Sequence, residues 1–146
     1  MPIISKDRIT LQTQAADKTA AIKQAGELLV RSGCVKPEYI EGMLTREQSM
    51  STSLGNGVAI PHGMQESREY ILQTGISVLQ LTDGVEWDEG DKVFLVIGIA
   101  ATSNEHVGVL ANLAEVIEDE NNLAELLHTT DPEVIIKYLG VSAPVE

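Results

Sequence analysis

Apolar positions along this 146-residue chain change period several times, and each change marks an element. Ile9 and Leu11 alternate with polar neighbours, so the segment 3–14 is read as partly extended. After Asp17, a helix-capping residue, the period becomes helical. Ala21, Ile22, Ala25, Leu28 and Leu29 form one apolar stripe, and Gly33 ends it. Pro37 opens a second helix at its first position, with Ile40, Met43 and Leu44 on the inner face. Arg46 and Glu47 fall in the last turn of that helix, where a cation suits the dipole.

Val58 and Ile60 share one side of a short strand, and 66–72 reads as a brief helical turn. Ile76–Leu81 and Val93–Ile99 read as strands. The second is apolar on both faces and is therefore expected at the centre of a sheet. Asp83-Gly84 and Glu89-Gly90 are turn signals around a weaker segment at 85–87. Ser103 or Asn104 caps a further helix with Val107, Leu110, Ala111, Ala114 and Ile117 on its buried side. Asn121 or Asn122 starts a short helix through Leu127. Asp131-Pro132 opens the last one, with Val134, Ile135, Tyr138 and Leu139 inward. The tail from Ser142 is expected to fray. The short connection between 76–81 and 93–99 favours antiparallel pairing inside a mixed sheet covered by helices, an α/β protein. Neither repeat nor linker interrupts the pattern, so residues 1–146 are expected to form one domain.

Composition narrows the partners. Hydrophobic residues make up 43% of the chain, enough for a folded core, but aromatics only 3%, so aliphatic residues must build it. The formal net charge of −12 argues against nucleic acid or an anionic membrane as partner. It is compatible with a basic protein partner, or with solubility alone. The lone Cys34 cannot form an internal disulfide and reads as a small core residue at a helix end, in keeping with a reducing cytoplasm. No apolar run reaches bilayer length, and MPIISKDRIT lacks the hydrophobic core of a signal peptide. A cytoplasmic location is expected.

The stretch GNGVAIPHG, residues 55–63, surrounds one histidine with three glycines and a proline. Pro61 fixes its own φ and drives Ile60 into an extended conformation, so His62 is held at the mouth of a strand. A backbone hydrogen bond to one ring nitrogen would leave the other as a nucleophile. His106 lies in the first turn of a helix, where unpaired N–H groups attract anions such as phosphate. Arg46 offers a permanent forked cation. Each residue also has an ordinary reading: a histidine in a tight turn, a surface histidine near a cap, an arginine at a helix end. His128 has no neighbours in sequence that point to chemistry. The chain lacks HExxH, CxxC, a Walker A loop, a dinucleotide fingerprint and GxSxG, and its carboxylates are dispersed without an obvious acid–base pair.

GNGVAIPHG resembles the signature around the phosphorylated histidine of enzyme IIA domains of the mannitol/fructose class. These belong to the bacterial phosphoenolpyruvate-dependent sugar phosphotransferase system. The resemblance continues, in order, through AGELLVRSGCVKPEYIEGMLTRE, FLVIGIAATSNEHVGVLANLAEVIEDE and LAELLHTTDPEVIIKYL, and so covers nearly the whole chain. MLTRE and LLHTTDPEV look most like the mannitol branch. The fructose and nitrogen-regulatory branches share the first motif.

The resemblance implies a mixed sheet of about five strands with helices on both faces. It implies that His62 accepts a phosphoryl group from phospho-HPr on Nε2, with Nδ1–H held by a backbone carbonyl. His106 and Arg46 would assist, and the group would pass to a cysteine of enzyme IIB. Neither metal nor cofactor is implied, nor is sugar binding. Contact with the membrane transporter would run only through IIB. The alternative is a nitrogen-regulatory IIA module whose phosphorylation state controls partner proteins.

Overall fold

The apolar run at Val93–Ile99 becomes part of the middle strand of a sheet, paired along both edges. A computed structural model describes residues 4–63, 65–101 and 106–139, with the side chains of Gln65, His106 and Val107 outside that description. Its strands are β1 (Ile9–Thr13), β2 (Ser53–Gly55), β3 (Val58–Ala59), β4 (Gly75–Asp88) and β5 (Asp91–Ala100), in spatial order β1-β4-β5-β3-β2. β1 runs parallel to β4, β4 antiparallel to β5, β5 parallel to β3, and β3 antiparallel to β2. The sheet is mixed, as expected, and the 76–81 and 93–99 segments pair antiparallel.

Burial on both faces of β5 divides the core in two. Leu95, Ile97 and Ile99 join one cluster, and Val96 and Ala100 the other. The helices α1 (Lys18–Arg31) and α2 (Glu38–Ser49) cover the face of Val96. The helices α3 (His106–Glu118), α4 (Glu120–His128) and α5 (Pro132–Leu139) cover that of Ile97. Short 3-10 turns occupy Lys6–Arg8 and Gln65–Tyr70.

Most helix signals hold. Asp17 accepts from Ala20 N at 2.8 Å, and the predicted α1 stripe is buried throughout. α5 begins at Pro132, with Asp131 accepting from Glu133 N at 3.0 Å. Four expectations need correction. The inner row of α2 is Tyr39, Met43 and Glu47, while Ile40 and Leu44 are half-buried at its flank. The i, i+4, i+8 row is rotated by one residue because Ile40 packs sideways against Gly26 of α1. In α3 the buried line is Val109, Leu113 and Ile117, and Ala111 is exposed. The larger aliphatic side chains win the sheet contact.

The α4 cap is Asp119, which accepts from Asn121 N at 2.9 Å and Asn122 N at 3.2 Å. An ionised carboxylate is a stronger acceptor for helix N–H groups than the amide side chains expected there. Finally, Asp83-Gly84 is not a turn. β4 runs through it with a register slip between Gln80 and Val85, and Gly84 takes φ +72° inside the irregularity. The hairpin turns at Glu89-Gly90, where Asp88 pairs with Asp91. The predicted α3 cap at Ser103 or Asn104 and the tail from Ser142 lie outside the described residues.

Close contact between α1 and the sheet depends on Gly98 of β5. A Cβ there would lie 2.6 Å from Ser77 Oγ and 3.2 Å from Ala25 Cβ. Ser77 Oγ has little room to yield, being buried and donating to Ala25 O at 2.8 Å. Gly98→Ala is therefore expected to destabilise the fold by about 1–3 kcal/mol. The check is a lowered urea midpoint with an unchanged m-value.

Candidate functional site

The backbone continues the line of β3 past Ala59 along β5. Ile99 N donates to Pro61 O at 3.0 Å, and His62 forms a parallel bridge with Ile99. Proline can supply only a carbonyl here, and only a carbonyl is needed. One residue earlier, Ile60 N donates to Thr52 O at 3.0 Å, and Ile60 O lies 2.9 Å from His62 Nδ1. A carbonyl oxygen can only accept, so Nδ1 carries the proton and the lone pair of the neutral ring resides on Nε2. The expected carbonyl partner of Nδ1 is thus present, and it is Ile60.

Two features lock this geometry. The hairpin between β2 and β3 turns at Gly55-Asn56-Gly57, with φ values of +83°, +58° and +84°. Gly57 O then accepts from Phe94 N and Leu95 N, which sets the register of β3 on β5. The second lock comes from α2. Tyr39 OH donates to Ile99 O at 2.8 Å and accepts from Gly63 N at 2.8 Å. A Cβ on Gly63 would stand 2.5 Å from Tyr39 Cε1, so the tyrosine ring requires glycine at 63. The result is a half-buried imidazole at the carboxyl end of the parallel β3–β5 pair, where open α/β sheets place their sites.

Arg46 sits in the last turn of α2, half-buried, with Nη1 donating to Met50 O at 2.7 Å. The imidazole of His62 is pushed below its ordinary value of 6.5, chiefly by loss of water around the ring. The Arg46 charge lowers it further, while the Ile60 hydrogen bond and the Glu47 charge act in the opposite direction. Arg46 and His62 are therefore electrostatically coupled. His106 is the first residue of α3, five residues after Ala101, so the backbone brings it to the same end of β5 as His62. Its side chain lies outside the described residues. His128 stands apart: it lines a cavity of about 360 Å³ with Gln12, Gln80 and Phe94.

Sequence reasoning missed Tyr39 and underrated Glu47. Read with the corrected α2 face, the spacing Tyr39–Met43–Glu47 would have put both polar groups against the sheet. Glu47 is buried and accepts from Thr52 N at 2.9 Å, Thr52 Oγ1 at 2.6 Å and Trp87 Nε1 at 2.8 Å.

A neutral imidazole with its proton fixed on Nδ1, at the end of a mixed sheet and within the field of an arginine, is the equipment of a nitrogen nucleophile. Residues 2–140 match the family described as "Phosphoenolpyruvate-dependent sugar phosphotransferase system, EIIA 2", and the chain belongs to that family. It is 39% identical to the mannitol-specific phosphotransferase enzyme IIA component of Geobacillus stearothermophilus, over 96% of this chain and 97% of that protein. It is 46% identical to the multiphosphoryl transfer protein of Xanthomonas campestris pv. campestris over 97% of its own length, but spans only 17% of that protein. The fold matches a chain in the solved complex of enzyme IIAMtl and phosphorylated enzyme IIBMtl from Escherichia coli. There the TM-score is 0.87 and the identity 40%, covering 93% of this chain and 96% of that one. Among the described residues, no helix is long and apolar enough to cross a membrane.

Tyr39→Phe leaves Ile99 O without its donor and Gly63 N without its acceptor. It should cost about 1–3 kcal/mol for each group that water fails to reach, measured by urea unfolding. An NMR titration of His62 should give a midpoint below 6.5, and Arg46→Ala should raise it. Because the folded value lies below the unfolded one, the unfolded chain takes up the proton first as pH falls. The stability that His62 contributes is thus complete above about 6.5 and lost as pH drops through the folded midpoint.

Proposed function

We propose that His62 carries a phosphoryl group between phospho-HPr and a cysteine of a sugar-specific enzyme IIB. The observation that carries this reading is the Nδ1–Ile60 O hydrogen bond, which assigns the ring lone pair to Nε2. In the first step Nε2 attacks phosphorus in line, the P–N bond of the donor phosphohistidine breaks, and its electron pair returns to the donor ring. In the second step a thiolate of IIB attacks the same phosphorus, and the P–N bond to His62 breaks. Nδ1 keeps its proton, donated to Ile60 O, throughout, so neither step needs a separate base for this ring.

Catalysis in such a transfer is positioning plus charge stabilisation. Arg46 supplies a cation to the equatorial oxygens, and His106 supplies a second donor together with the N-terminal amides of α3. The phosphohistidine bond is already activated, so neither metal nor cofactor is invoked. The chain does not bind the sugar. The identity with mannitol IIA components and the likeness to IIAMtl in its IIBMtl complex support a mannitol IIB as the acceptor. In this reading residues 1–146 act as one IIA module in the cytoplasm and meet the membrane transporter only through IIB.

Incubation with phosphoenolpyruvate, enzyme I and HPr should add one phosphate to the intact mass, and His62→Ala should abolish the gain. Arg46→Ala and His106→Ala should still accept it, with the rate reduced by about 10²–10³. Passage of the group to a mannitol IIB is the expected second readout. A phosphorylated chain that passes it to no IIB would point instead to a nitrogen-regulatory module.

A further inference from the structure

Glu47 is a buried carboxylate that the transfer scheme leaves without a task. Its side chain is 4% exposed, and a buried carboxylate is costly unless each oxygen is paired. Here the pairing is dense. Oε2 accepts from Thr52 N at 2.9 Å and Trp87 Nε1 at 2.8 Å and lies 3.3 Å from Lys18 Nζ, while Oε1 accepts from Thr52 Oγ1 at 2.6 Å. Lys18 also reaches Asp88 at 3.5 Å and lies over the Trp87 ring, and Asp88 accepts from Ser51 Oγ at 2.6 Å. One carboxylate therefore ties the start of α1, the end of α2, the 50–52 loop and the far end of β4 together.

Two lines of contact lead from that carboxylate to the site. The first runs through the helix to the adjacent Arg46, which returns to the same loop by its bond to Met50 O at 2.7 Å. The second runs through Thr52: its carbonyl accepts from Ile60 N at 3.0 Å, and Ile60 O holds His62 Nδ1 at 2.9 Å. Both the nucleophile and its neighbouring cation thus lean on a loop whose place is set by Glu47.

We propose that Glu47 is a positioning residue for phosphoryl transfer. Its carboxylate fixes the 50–52 loop, so that Thr52 holds Ile60, Ile60 keeps the His62 proton on Nδ1, and Arg46 stays beside the ring. The proposal rests on the transfer reading above for its rate, but not for its ring geometry. What matters is the reach of the side chain and its two acceptor positions, rather than its charge.

The test compares Glu47→Gln with Glu47→Asp in the full chain. Glutamine keeps the length, places its oxygen on the Thr52 and Trp87 N–H groups, and turns its amide toward the Thr52 hydroxyl, which can accept. Aspartate keeps the charge but is one methylene too short to span both partners. The first readout is the His62 tautomer by long-range ¹⁵N–¹H correlation, with no partner protein present. The second is the single-turnover rate of phosphorylation by phospho-HPr.

Glu47→Gln is expected to keep the Nδ1–H tautomer and a rate within about threefold of wild type. Glu47→Asp is expected to show an admixture of Nε2–H and a rate about 10–100-fold lower. An aspartate variant that retains either the wild-type tautomer or the wild-type rate overturns the proposal, and so does a glutamine variant that falls as far as aspartate. Should Glu47→Asp not fold, Thr52→Ala, which removes only the hydroxyl bond, should give a smaller shift in both readouts. No shift in either overturns the proposal. If wild type accepts no phosphate, the transfer reading fails, while the tautomer comparison still decides whether Glu47 sets the ring.

Discussion

One carbonyl sets the tautomer of His62. Ile60 O accepts from His62 Nδ1, and that single contact leaves the lone pair of the neutral ring on Nε2. Its position is fixed from three directions. Pro61 fixes its own φ and holds Ile60 extended, Ile60 N is bound to Thr52 O, and Pro61 O is bound by Ile99 N. The imidazole is consequently oriented by backbone, whose placement is set by sheet registry rather than by side-chain rotamers. Partial removal from water keeps the ring neutral, the form in which Nε2 has its lone pair.

The mixed sheet supplies that registry. β3 has two residues and would not hold a site alone. Pairing with β5, itself buried on both faces, gives it a rigid template. Tyr39 joins the helical layer to this template by using both capacities of its hydroxyl, donating to one strand and accepting from the segment after His62. Helix, strand and loop therefore share one polar junction, and a buried phenol so engaged orders its neighbours more sharply than apolar packing would.

Elements whose signal is local were legible in the sequence. Asp17 and Asp131 act as helix caps, and the Val93–Ile99 run occupies the centre of the sheet. Pro61 and Gly63 did mark a constrained histidine. What escaped depends on the tertiary partner. The α2 face turned by one residue because Gly26 of α1 admits Ile40, and no pattern within α2 carries that fact. Gly84 read as a turn because positive φ serves turns and strand irregularities alike. Tyr39 and Glu47 looked like ordinary helix residues because their partners, Ile99 and Trp87, lie 60 and 40 positions away.

The sole cysteine has a consequence for how such a group can move. Cys34 is wholly enclosed at the end of α1, with its sulfur against the backbone of Gly75. A thiolate is the chemical acceptor proposed for the outgoing phosphate, yet this molecule's own sulfur is walled off from any visitor. A charge-bearing group seated on His62 would find no internal shortcut to sulfur, and its departure would have to wait for a second protein to bring one.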